Sequence, residues 1–369
     1  MHLIPVLDVG ATYEELRAEI DEAVRGVLQS GWYIGGPSVE RFEDHWASHC
    51  GASNCVGVGN GLEALALSLR ALGVGAGDEV IVPANTYIAT WLAVSMVGAT
   101  PVPVEPDEAS HCIDPARIAA AITGRTRCIM PVHLYGHPCA MDEIMAIARD
   151  HGLLVVEDAA QAHGAAIGGT RIGAHGDAVA WSFYPTKNLG AFGDAGAVTT
   201  NRADIAEQLR LLRNYGSASK NVHDIKGVNS RLDPVQAAIL SVKLRHLDKW
   251  QARRQQVAGR YAELFDGSNR IIPPAATPDA THAWHLYVIR VDRRDEVIGR
   301  LAERGVASMA HYPTPPFLQQ AYVEMSADAR RWPLSTELAQ QVLSIPMGPH
   351  MKPGEVEQVA EAVLSAVGE

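Results

Sequence analysis

Short apolar runs near residues 55–58, 79–82, 101–104, 128–132, 153–156, 178–183 and 196–200 punctuate the first two thirds of this chain. Between them, apolar positions recur at helical spacing, as in Gly61 to Ala71, Pro115 to Ala121 and Met141 to Asp150. Strand-like runs alternating with helical stretches predict an α/β fold with a mostly parallel sheet wrapped by helices. From Asp233 to about Phe265 the pattern predicts one long helix, with Pro234 suited to its first turn, linking two parts of the chain. Beyond it, HLYVIRVDRRDEVIGRLAERGVASMAHYP predicts strand, helix and strand, with Asp292 as N-cap and Gly305 as stop. The expected division is a large domain, residues 1–248, and a small α/β domain, residues 249–369.

The chemistry-bearing residues fall at the ends of the predicted strands. Lys187 sits in AVAWSFYPTKNLGAFGDAGAV, where an apolar strand runs into a glycine-punctuated loop. A lysine so surrounded can be desolvated enough to lose its proton near neutral pH, as a Schiff-base former must; the plainer reading is a solvated loop charge. Twenty-nine residues upstream, LLVVEDAAQAHGA ends a strand in Asp158, with Gln161 and His163 on the following turn. In parallel sheets ligands bind outside the carboxyl ends of strands, so Asp158 and Lys187 can meet there, although Asp158 also fits a helix N-cap. Pyridoxal phosphate (PLP) needs both groups, an amine for its aldehyde and a carboxylate to keep its ring nitrogen protonated.

Two further segments bear on that cofactor. In CVGVGNGLEALALSLRALGV a strand, a loop with Gly57, Gly59 and Gly61, and a helix form a phosphate cradle, in which the first-turn amides near Gly61 and Leu62 favour an anion. The spacing is not that of a dinucleotide fingerprint, and such loops also serve as plain turns. Ser182 is a candidate hydroxyl donor to the same phosphate. In GDEVIVPANTYIAT the loop presents Tyr87, which can stack on a flat ring or pack in the core. His163 is expected near the cofactor or substrate phosphates, with loop packing as the alternative.

Read in order, GWYIGGPSVERFE, GNGLEAL, GDEVIVPANTYIAT, HLYGHP, EDAAQAHGA, SFYPTKNLGAFGDAGA, RNYGS, GVNSRLDPVQAAIL and HYPTPPF resemble the DegT/DnrJ/EryC1/StrS family of PLP-dependent sugar aminotransferases along nearly the whole chain. The resemblance implies the fold type I architecture, PLP with pyridoxamine phosphate as its second form, and transfer of an amino group from L-glutamate to a nucleotide-linked keto-deoxysugar. It implies Lys187 as the cofactor lysine, Asp158 as partner of the ring nitrogen, and Gln161 as a contact to the ring hydroxyl. Gly61, Leu62 and Ser182 would hold the phosphate, and Tyr87 would cover the ring. A residue of the NSR segment, Asn229 or Arg231, would enter the neighbouring subunit's site in a homodimer. Tyr184 resembles the subgroup that aminates carbon 3 of dTDP-3-keto-6-deoxyhexoses, and His311 and Tyr312 would reach the hexose. The neighbouring readings are a carbon-4 aminotransferase, a sugar dehydratase, which would carry histidine in place of Lys187, and a nucleotide-binding regulator, which would not need Asp158 and Lys187 together.

Composition changes the picture only at its edges. With 369 residues, 47% of them hydrophobic and 20% charged, the chain is long enough for one large and one smaller domain. A net charge of −11 disfavours nucleic acid or an anionic membrane as partner. A nucleotide-linked substrate then needs a locally basic lining, for which Arg213, Lys220, Lys226 and Arg231 are candidates. Five cysteines without regular spacing fit free thiols in a reducing cytoplasm. The N-terminal MHLIPVLDVG has no secretion pattern, and no apolar stretch reaches the ~20 residues of a membrane span. His133 and His137 have helical spacing, but Gly136 and the flanking Pro131 and Pro138 oppose a helix there, so no metal site is expected.

Overall fold

The computed structural model describes residues 3–275, 277, 279–326 and 328–368. The seven expected apolar runs form one sheet of β1 (Asn54–Val58), β2 (Glu79–Pro83), β3 (Thr100–Val104), β4 (Thr126–Ile129), β5 (Leu154–Asp158), β6 (Ala178–Ser182) and β7 (Gly196–Thr200). Their spatial order is β1-β7-β6-β5-β4-β2-β3. All strands run in one direction except β7, which is antiparallel to both β1 and β6. The fourth run is shorter than expected, ending at Ile129 before Pro131, which has no N–H to give a ladder.

Successive residues of these strands serve opposite faces, and both faces are covered. Ile81, Val155, Val179 and Trp181 join Phe42 and Trp46 in one core, whereas Val80, Val82, Val156, Ala178 and Ala180 join Leu65, Leu69 and Trp91 in another. A third core gathers Tyr261, Phe265, Tyr287, Ile289, Leu343 and Val359 around β8 (Tyr287–Val291) and β9 (Val342–Ile345). Ile4 belongs to this third core and bridges Val306, so the N-terminal segment lies on the C-terminal layer.

Three local expectations are corrected. The long helix is two helices, Pro234–Leu244 and Leu247–Phe265. The turn between them tightens, with Arg245 N bonding Val242 O and His246 N bonding Lys243 O, and the bend leaves Lys243 free to reach Gly190 O at 2.6 Å. The helix Arg294–Glu303 is not capped by Asp292; left-handed Arg293 (φ 51°) makes the entry. Gly305, at φ 74°, does lie just past its end. After that helix Val306 and Met309 make single bridges to Ile4 and Ser344, and the strand pairing with β8 is β9.

Because β1, β2, β4, β5 and β6 share a direction, their carboxyl ends lie along one edge of the sheet. The reversed β7 enters at that edge, and Gly196 presses against the loop after β1: a β-carbon there would stand 2.5 Å from both the carbonyl carbon and the oxygen of Asn60. Gly196→Ala is therefore expected to lower stability by about 1–3 kcal/mol, the usual cost of overpacking. Urea denaturation against the wild type measures it, and an unchanged midpoint would show that the loop yields.

Candidate active site

A cavity of about 560 Å³ opens at this sheet edge. The helix Gly61–Ala71 points its N-terminus into it, capped by Asn60, whose side chain accepts from Glu63 N at 2.9 Å. Ala64 N bonds Asn60 O, so among the described residues the first-turn amides of Gly61 and Leu62 have no partner, and both residues line the cavity. Ser182, at the end of β6, closes on this turn so tightly that a β-carbon on Gly61 would stand 2.6 Å from Ser182 Cβ. Two free amides, a hydroxyl and the positive end of a helix dipole make a nest for a phosphate-sized anion.

Asp158 ends β5, 6% exposed, on the same cavity. Its Oδ2 accepts from Thr90 Oγ1 at 2.9 Å and its Oδ1 from Ala160 N at 3.2 Å. Thr90 in turn lies 2.9 Å from Thr86 Oγ1; since Thr90 spends its proton on Asp158, Thr86 donates to Thr90. Burial raises the Asp158 pKa, opposed by Thr90, the Ala160 amide and the Lys187 charge. Such a carboxylate favours a cationic partner. Lys187 lines the cavity from the loop between β6 and β7, and desolvation lowers its pKa to about 8, against the pull of Asp158.

The remaining wall comes from three segments. Tyr87 precedes the helix Ile88–Met96, and its ring lies 5.1 Å from that of Tyr312. Gln161 is held at both ends, accepting from Tyr135 N at 2.5 Å and donating to Tyr312 Oη at 3.0 Å. His311 lines the cavity beside Tyr312, its Nδ1 2.7 Å from Ser344 Oγ, and burial followed by the Lys187 charge takes its pKa to about 4. Tyr184 and Thr186 complete the rim.

The structure thus brings together Gly61, Leu62, Tyr87, Asp158, Gln161, Ser182, Tyr184, Lys187, His311 and Tyr312. His163 is corrected. It is fully buried behind the cavity, with ring centroids 5.8 Å from Trp46, 5.3 Å from Trp181 and 5.6 Å from Phe183, and it meets no phosphate nest. Burial takes its pKa to about 3. Arg213 is also spent elsewhere, donating to Glu43 Oε1 at 2.5 Å and Gly57 O at 2.7 Å. Neither Lys220 nor Lys226 lines this cavity, nor do Asn229 and Arg231; Asn229 bridges Asn214, and Arg231 donates to Asn214 Oδ1 at 3.0 Å over the Tyr215 ring. Sequence reasoning missed Thr86, Thr90, Asn188 and His285. Only the Thr86–Thr90 spacing at a helix start offered a signal.

Two other features lie outside this cavity. His133 and Glu157 form a fully buried pair at 2.9 Å, and among the described residues no group of three or more potential ligands would hold a metal ion. A second cavity, about 500 Å³, lies among Trp32, Arg41, His45 and Arg245, with no carboxylate among the described residues that line it. No helix of the described residues is long and apolar enough to cross a membrane.

A nest for a phosphate, a buried carboxylate and a lysine with a depressed pKa, all at one sheet edge, define a fold type I aminotransferase site. The chain belongs to the DegT/DnrJ/EryC1/StrS aminotransferase family, which it matches over residues 14–364. It is 54% identical to the erythromycin biosynthesis sensory transduction protein EryC1 of Saccharopolyspora erythraea, over 94% of this chain and 95% of that one. It is 51% identical to the dTDP-3-amino-3,4,6-trideoxy-alpha-D-glucose transaminase of Streptomyces venezuelae, over 98% and 95%. The crystal structure of S. venezuelae DesV in complex with a ketimine intermediate superposes with a TM-score of 0.98 at 50% identity, covering all of both chains. Other solved relatives are described in PLP and pyridoxamine phosphate forms.

The lysine's surroundings make a direct prediction. In the cofactor-free protein, acylation of Lys187 followed by mass spectrometry should titrate with a midpoint near pH 8. Asp158→Asn removes the charge that favours the ammonium, so the midpoint should move lower. A rise would mean that Asp158 does not act on Lys187.

Proposed function

We propose that the protein is a PLP-dependent aminotransferase that moves the amino group of L-glutamate onto carbon 3 of a dTDP-linked 3-keto-6-deoxyhexose. The observation that carries the reading is the meeting of Lys187, Asp158 and the Gly61–Leu62–Ser182 nest in one cavity. The residues fit the cofactor on their own chemistry: two unpartnered amides for a phosphate, an amine poised near neutrality for an aldehyde, and a buried acid for a ring nitrogen. When bound, the cofactor supplies the electron sink that stabilises a carbanion.

The chain's own groups do the rest. Burial lowers the Lys187 pKa to about 8, so Nζ can lose its proton near neutral pH and both take a proton from the substrate carbon and return it. Asp158, its Oδ2 fixed by the Thr86–Thr90 relay, would hold its negative charge toward the ring nitrogen. Gly61, Leu62 and Ser182 would hold the phosphate, Tyr87 would cover the ring, and Gln161 keeps one Nε2 hydrogen that could meet the ring hydroxyl. Tyr184, His311 and Tyr312 contact the hexose.

We divide the chain into a cofactor-binding part, residues 1–248, and a smaller part, residues 249–369, with the segment around Ile4 lying on the latter. We also propose a homodimer. Leu28, Trp32, Tyr33 and Ile34 form an exposed apolar group, each more than half exposed, of the kind that mates with another protein surface. Asn229 or Arg231, both outside their own chain's cavity, completes the phosphate or substrate site of the partner. Five free cysteines, all buried, support a cytoplasmic setting.

Regiochemistry is read directly. Supplied with L-glutamate and with 3-keto and 4-keto dTDP-sugars in parallel, the enzyme should yield a product whose NMR spectrum places the new amine on carbon 3, and amination only at carbon 4 would overturn that assignment. Site sharing has its own test. Lys187→Ala and Arg231→Ala chains, each inactive alone, should regain activity after subunit exchange, because one of the two sites then has both groups. Verified mixed dimers that stay inactive would return Arg231 to its own subunit.

A further inference from the structure

His285 lines the cavity beside Lys187 and is 7% exposed, yet none of the roles above uses it. Its Nδ1 lies 3.2 Å from Asn188 Oδ1. Asn188, buried next to Lys187, donates through Nδ2 to Ala283 O at 2.7 Å. That second bond fixes the amide's orientation, because an amide oxygen turned toward the Ala283 carbonyl would be repelled. Asn188 Oδ1 can therefore only accept, and the proton between the two side chains belongs to His285 Nδ1. A neutral imidazole has one such proton, so Nε2 is bare. Among the described residues Nε2 has no hydrogen-bond partner, and it is not sealed in the protein.

The ring stays neutral and stays in place. Burial first, then the charges of Lys187 and Arg254, hold its pKa well below the usual histidine value. Its backbone is fastened by the helix Leu247–Phe265: Arg254 Nη1 donates to Trp284 O at 2.8 Å and His285 O at 3.4 Å, and Gln251 Nε2 donates to His282 O at 2.7 Å. Two carboxylates line the cavity, Asp158, which is committed to its own bonds, and Asp194; the other polar side chains on its walls are donors or can act as donors. A neutral acceptor set among cations suits an uncharged O–H far better than a phosphate or carboxylate, which would need a donor.

We propose that His285 is a further substrate-binding residue: held by Asn188 in the Nδ1-protonated form, it presents a bare Nε2 to the cavity and accepts a hydrogen bond from a hydroxyl group of the bound sugar. Asn188 acts through it as a positioning residue. This inference rests on the sugar-aminotransferase reading, and the two can fail separately.

The tautomer is tested without turnover. In 15N-histidine NMR of the full-length, cofactor-loaded protein, with His285→Gln identifying the signal, His285 should remain neutral and Nδ1-protonated from about pH 6 to about pH 9. Asn188→Ala should shift the signal toward a mixture of tautomers. An Nε2-protonated ring, or an imidazolium titrating in that range, overturns the proposal. Calorimetric titration with dTDP-3-amino-3,4,6-trideoxyglucose then tests the contact. His285→Phe should weaken binding about tenfold, the order of one buried hydrogen bond, whereas His285→Gln, whose oxygen can still accept, should lose less than about threefold. Wild-type affinity in His285→Phe overturns this inference alone. A wild type that binds no nucleotide sugar overturns the reading on which it rests, whatever the NMR shows of the tautomer.

Discussion

Placing a carboxylate and an amine together out of bulk water is the constraint around which this molecule is arranged. Desolvation acts on the two in opposite directions, raising the pKa of Asp158 and lowering that of Lys187, so each is driven toward neutrality. Each also restrains the other, and fixed dipoles add to that restraint on the acid: Thr90 Oγ1 and the Ala160 amide both donate to Asp158. The lysine loop is held from three sides to keep this balance. Asn188 grips Ala283 O, Lys243 donates to Gly190 O, and Gln236 accepts from Phe192 N at 2.8 Å. A loop free to swing would let water reach the amine and return it to an ordinary lysine.

What could be read from the amino-acid order was whatever the chain writes locally. The seven strands announce themselves as apolar runs, and Gly61, Leu62, Tyr87, Asp158, Ser182 and Lys187 stand within a few residues of strand ends, where a parallel sheet gathers its ligands. Thr90 and His285 were hidden because their roles come from partners 68 and 97 positions away. His163 was misread for a related reason: a histidine after a strand end looks polar, and only the packed fold shows that its ring turns toward Trp46 and Trp181. The break near Arg245 left no mark either, since neither glycine nor proline interrupts that stretch.

The two layers of the molecule meet at a short shared sheet, in which Ala280–Thr281 pairs with Ala166–Ile167, and at side chains around the cavity. Gln161 belongs to the turn after β5 yet holds Tyr312 of the C-terminal layer, and Tyr135 Oη donates to the carbonyl of His311. Glu105, at the end of β3, accepts from Leu334 N at 2.8 Å and Ser335 N at 3.0 Å, tying the start of the helix Pro333–Gln341 to the large sheet. One wall of the cavity is thus carried by the second layer but set in position by the first.

The lysine loop leaves β6 and returns on β7, and the residues at its two ends, Ser182 and Gly196, are paired across those strands. The amine's unusual acidity is not written into the loop. It arises from surroundings that include Asp158, and the loop's anchorage depends on Ala283, far along the chain. While the polypeptide is being made, Lys187 is chemically like any other lysine, and it acquires its reactivity only when the sheet has closed and the later segment has docked against Asn188. Aldehydes in the cell therefore meet an unremarkable ammonium on the growing chain, and the reactive amine emerges only within a pocket shaped to choose what it reacts with.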